Sequence, residues 1–152
     1  MFGEGSAGEL GLGSVGNVID VKRPRLNPHL LASEVGVVQI AVGGMHVAAL
    51  THDNKIITWG VNDQCALGRE TSNDVDDPDT GLKPRESTPT AVDMSVFPAG
   101  TVITQVATGD SITLALTDEG LVYGCGTFRV SLPVNSVAGR KLSTLYRPMR
   151  AF

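Results

Sequence analysis

The chain has 152 residues, 41% hydrophobic and 18% charged, with a formal net charge of −4, enough for one ordinary domain and too little for a large multidomain machine. It lacks an apolar run near the roughly 20 residues of a membrane span, and residues 1–4 (MFGE) have neither the charged nor the apolar region of a signal peptide. Two cysteines, Cys65 and Cys125, cannot build a disulfide framework or a four-ligand zinc site, which points to a reducing, intracellular compartment.

Glycine stands at 18 of 152 residues, against a usual share of about 7%, and Val, Ile and Thr together number 37, while aromatics are only 5%. This is an all-β composition. In chain order, residues 2–11 (FGEGSAGELG) open with an aromatic-Gly pair and close on Leu-Gly eight residues later. Lys22, Arg23 and Arg25 cluster around Pro24, either as a nuclear import signal or as a surface connector stiffened by Pro24 and Pro28. Strands are predicted over 40–42, 46–51 and 56–59. Gly43-Gly44 is read as a turn needing positive φ, and residues 52–54 as a hairpin turn. His46, with no second ligand at metal spacing, reads as a satisfied core histidine.

The loop carrying Asn62 and Asp63 follows Trp59-Gly60 and leads to Leu67-Gly68. Beyond it, residues 74–86 form an acidic insertion expected to be solvated and mobile. Its DVDDPD run fails as a calcium loop, because Asp79 and Arg85 stand where an EF-hand needs Gly and Glu. Further strands are predicted over 102–107, 113–117 and 121–123, with a turn at 118–120. All sixteen acids lie at or before Glu119, so residues 1–128 carry −9 and residues 129–152 carry +5. Pro133 and Pro148 interrupt that basic tail, which is expected to be irregular.

Two stretches repeat. Residues 39–60 (QIAVGGMHVAALTHDNKIITWG) align with 105–126 (QVATGDSITLALTDEGLVYGCG) without a gap at an offset of 66, with seven identities in 22. Residues 2–11 align with 59–68 (WGVNDQCALG) at an offset of 57, which sets Ser6 opposite Asp63. Repeats of this kind cannot bury a face alone and must stack.

The stretches VGGMH (42–46), WGVNDQCALGRETS (59–72), GTFR (126–129) and KRPRLNP (22–28) resemble the RCC1 repeat family, and in particular the fungal members that act on the small GTPase Ran. The resemblance covers residues 2–129 and implies a β-propeller, here partial: about two four-stranded antiparallel blades over residues 1–129, plus an irregular basic tail over 130–152. It implies a guanine nucleotide exchange factor-like regulator in the nucleus, with Ran and chromatin as partners. No covalent chemistry, cofactor, metal, membrane or small-molecule substrate is expected. Asn62, Asp63, Asp110 and Arg129 are the partner-facing candidates by resemblance. Each has a local reading beside it: an Asx turn for Asn62-Asp63, a cap of the turn 109–111 for Asp110, and a solvated side chain for Arg129. The family's β-wedge should follow GTFR, but Val130-Ser131-Leu132-Pro133 stand there. A truncated product with impaired exchange is therefore expected. The alternative is a repeat scaffold that binds proteins without promoting exchange.

Overall fold

The computed structural model describes residues 1–127 and the backbone of Met149–Ala151. Two four-stranded sheets dominate it, preceded by a smaller unit in which β1 (Gly3–Glu4) pairs antiparallel with β2 (Asp20–Val21). The first large sheet runs β3 (Val37–Val42), β4 (His46–Thr51), β5 (Ile56–Gly60) and β6 (Thr90–Ala91) in spatial order, all antiparallel. In the second, β7 (Ile103–Thr108), β8 (Ile112–Thr117) and β9 (Val122–Gly126) form a meander, and β10 (Met149–Ala151) joins β9 in parallel. Both large sheets carry the same register shift in their first strand, at Val37/Gln39 and at Ile103/Gln105. That bulge recurs at the repeat offset.

β4 and β5 are buried along their whole length. Their side chains alternate between two packing surfaces, as strand geometry requires. Val47, Ala49, Ile57 and Trp59 pack towards the first unit, with Leu30 and Val35 against them. Leu50 and Ile56 face the second sheet and share a core with Val106, Ala115, Phe97 and Tyr123. The Phe97 and Tyr123 rings meet edge-on, with centroids 4.9 Å apart. Trp59 is fully buried and donates its indole N–H to the carbonyl of Glu9 at 2.9 Å, tying the first unit to the first large sheet. The first sheet is thus the middle layer of a stack.

Two expectations need correction. Neither Gly43 nor Gly44 lies at positive φ; the glycine pair of the 66-residue repeat that does is Gly60 (φ 99) and Gly126 (φ 100). Gly43 is required for space instead, because a Cβ there would collide with the carbonyl of Gly109 in the next sheet. The acidic insertion is anchored, not free. Leu82 is buried with Leu10, Leu12, Val18 and Val21 of the first unit. The Asp77 carboxylate accepts from the backbone N–H groups of Asp79 and Thr80, both at 3.1 Å, while Thr80 donates its hydroxyl to the carbonyl of Ser14. Leu82, the Asp77 turn and the Thr80 hydroxyl hold the segment down, while Asp76 and Asp79 stay in water.

Candidate functional site

The site grows from the seam between the two large sheets, which is clamped by polar side chains at three levels. At one end Asn54, in the β4–β5 turn with φ 64, donates to the carbonyl of Thr101 at 2.8 Å and accepts from the Ile103 N–H at 2.7 Å. Midway, the Gln39 amide makes the same double contact with the backbone of Val106, at 3.3 and 2.9 Å. Near the other end, buried His46 meets the Thr113 hydroxyl at 2.9 Å through Nε2. Thr113 Oγ1 also lies 2.8 Å from the carbonyl of Ala66, which can only accept. The single hydroxyl hydrogen is therefore spent on Ala66, and His46 Nε2 must carry the donated proton. Burial lowers the His46 pKa, opposed by the nearby backbone of Asp110 and Ile112 and by the Asp110 charge. His46 fits the core-histidine reading.

Above this seam two loops meet. The first, after β5, turns through a short 3-10 segment at Asp63–Cys65, where Gln64 and Cys65 take φ of 52 and 63. Asn62 is its hub: Oδ1 accepts from the Leu67 N–H at 2.9 Å, and Nδ2 donates to the Arg69 carbonyl and to Thr71 Oγ1, both at 2.8 Å. Thr71 passes its own hydrogen to Glu86 at 2.7 Å. Arg69 donates back to Thr58 Oγ1 and its carbonyl at 3.2 and 3.0 Å; burial, reinforced by Arg85, brings its pKa down to about 10, so it stays cationic near neutrality. The second loop is the β7–β8 turn, with Asp110 exposed at its tip. Ser111 of that turn donates its hydroxyl to Asp63 Oδ2 at 3.0 Å.

The structure therefore brings Asp63 and Asp110 onto one loop face, linked through Ser111. Both are exposed, and among the described residues the Asp110 carboxylate takes no hydrogen bond. Asn62 is turned inward and its amide is used by its own loop. Lys22, Arg23 and Arg25 are exposed on the connector after β2, with Lys22 paired to Asp20 at 3.4 Å. Arg129, and the positions where a wedge would stand, lie outside the described residues. Sequence reasoning passed over Ser111 and Gly44. A hydroxyl beside Asp110 was the one visible signal for the former, and the latter was marked only as a turn glycine.

Models of the regulator of chromosome condensation (RCC1) repeat match residues 1–50 and 103–128. The chain belongs to the RCC1 family. It is 46% identical to protein pim1 of Schizosaccharomyces pombe, over 86% of this chain and 24% of that protein. It is 42% identical to the guanine nucleotide exchange factor SRM1 of Saccharomyces cerevisiae, over 84% of this chain and 30% of that protein. A crystal structure of Prp20p from Saccharomyces cerevisiae, described together with its binding properties to Gsp1p and histones, superposes with a TM-score of 0.74 at 41% identity, covering 86% of this chain and 28% of that one. The chain thus spans about a quarter to a third of these relatives. The two stacked sheets are neighbouring blades of an RCC1-type propeller, and the chain is related to fungal proteins that include a guanine nucleotide exchange factor.

Proposed function

We propose that this chain binds a Ran-type small GTPase through the loop face carrying Asp63 and Asp110, weakly, and leaves nucleotide release near its uncatalysed rate. The observation that carries the reading is the placement of two carboxylates from successive blades on one face, in a family whose relatives include a guanine nucleotide exchange factor. An exchange factor makes and breaks no covalent bond. It holds the nucleotide-free GTPase more tightly than the loaded form, so by linkage the nucleotide is released. Exposed carboxylates suit that task by taking charge-assisted hydrogen bonds from a partner's Lys or Arg. A stable interface usually buries about 1,200–2,000 Å², and two loops can offer only a small part of it. Nuclear location and a chromatin contact belong to the same proposal, by kinship with relatives named for chromosome condensation and histone binding.

The test is release of a fluorescent guanine nucleotide from Ran, alongside titration of nucleotide-free Ran with the chain. Binding weakened about tenfold by Asp110→Ala, the loss of roughly one charged contact, with little acceleration of release, is the expected result. A hundredfold acceleration at micromolar chain would overturn the impaired-exchange part. Absence of any Ran binding would leave the scaffold reading.

A further inference from the structure

Gly44 sits at the end of β3's turn into β4, in the first blade, and aligns in the repeat with Asp110 of the second. The two positions also meet in space. Gly44 donates its N–H to the Gly109 carbonyl at 3.3 Å, and the Asp110 carboxylate lies directly over Gly44. A Cβ at Gly44 would collide with Asp110 Oδ1, while the next nearest atoms, Asp110 Cγ and Cα, would be at 3.3 and 3.4 Å. The backbone of Gly44 is not in the left-handed region, so its conformation does not itself demand glycine. Space for one carboxylate does.

We propose that Gly44 is a positioning residue for the partner contact: by leaving room on the first blade, it lets the Asp110 carboxylate of the second blade lie across the seam beside the Asp63 loop. This rests on the proposed GTPase-binding reading, and it assigns to a residue without a side chain the aim of the one that touches the partner. With alanine at 44, Oδ1 must move, and rotation about χ1 into another staggered well carries the whole carboxylate off Gly44. The colliding atom is the end of a side chain, so the fold can accommodate the change. Gly43 next door is the contrast, because there the collision is with a backbone carbonyl of the second blade and with the buried His46 ring. Substitution at 43 should strain the seam; substitution at 44 should redirect one charge.

The experiment uses the full chain as wild type, Gly44→Ala, Asp110→Ala and the double variant, with Gly43→Ala as the structural control. The first readout needs no partner: the Hα–Hβ couplings of Asp110 by NMR, which report its χ1. They should change in Gly44→Ala while the melting curve does not. The second is affinity for nucleotide-free Ran. Gly44→Ala should weaken it about as much as Asp110→Ala does, roughly tenfold, and the double variant should be no weaker than Asp110→Ala alone. Additive losses, or a rotated carboxylate with unchanged affinity, would overturn the inference, as would unchanged couplings. If Gly44→Ala loses its cooperative melt, the double variant decides: recovery on removing the carboxylate supports the contact, and no recovery overturns it. Failure of the wild-type chain to bind Ran defeats the proposed function and the partner half of this inference together, and the couplings then still decide whether Gly44 sets the carboxylate.

Discussion

Thr113→Val removes a single hydroxyl near one end of the seam and leaves side-chain shape almost unchanged. That hydroxyl is fully buried, accepts from His46 Nε2 at 2.9 Å and donates to the Ala66 carbonyl at 2.8 Å. The carbonyl keeps a weaker donor, the Cys125 thiol at 3.3 Å, but the imidazole N–H on that side is left facing a methyl group. A buried donor deprived of its partner costs about 1–3 kcal/mol, and the carbonyl's loss adds a part of that, for a total of about 2 kcal/mol. Spread over the 127 residues described from the N-terminus, unfolding entropy of about 2.1 cal/mol/K per residue converts this to a Tm lower by ~7 °C. Thermal and urea melts of wild type, Thr113→Val and Thr113→Ser measure it, with serine restoring most of the loss because it keeps the hydroxyl. A Tm shift below ~2 °C for Thr113→Val would mean that the His46–Thr113–Ala66 chain contributes little to holding the blades together.

His46 makes the same seam sensitive to pH. Burial lowers its pKa below the ordinary 6.5, so the unfolded chain binds the proton more readily; stability should be full above pH 6.5 and fall as pH drops from there towards the folded-state pKa. Urea titrations across pH 5–7 check this, and His46→Gln, which cannot titrate, should flatten the dependence. Gly60→Ala places a side chain at φ 99 against the Met45 carbonyl and should destabilise by more than about 2 kcal/mol in urea; a change under ~0.5 kcal/mol would show that the turn relaxes freely. The cysteines should differ in reactivity: Cys65 is exposed, whereas burial pushes the Cys125 thiol up to about 12. Iodoacetamide on the native chain should label Cys65 alone, Cys125 following only in denaturant; equal native labelling, read by peptide mass, would contradict the packing around Ala66.

The first three strands of each blade were legible because their signals are local. In residues 39–60 and 105–126, β-branched and small apolar residues are punctuated by turn residues, and the offset of 66 exposes the second copy without reference to space. β4 matched its predicted bounds, and the others differed by one to three residues at their ends. Asp63 and Asp110 could be put forward by resemblance to the RCC1 family, on loops that the repeat locates. What stayed hidden was whatever depends on how one blade lies on the next. The bonds from Asn54 to Thr101, Gln39 to Val106, His46 to Thr113 and Asp63 to Ser111 join residues 47 to 67 apart in the chain. β6 was equally invisible, a two-residue strand arriving beyond the insertion, as was the anchoring of that insertion through Leu82. For Gly43 and Gly44 the local rule pointed the wrong way: glycine there suggests a left-handed turn, while the structure uses it for clearance from Gly109 and Asp110 of the other blade. Backbone preference and strand alternation act over a few residues and can be read in order. Clearance, buried hydrogen bonds and the link between the Asp63 and Asp110 loops exist only once the sheets are stacked.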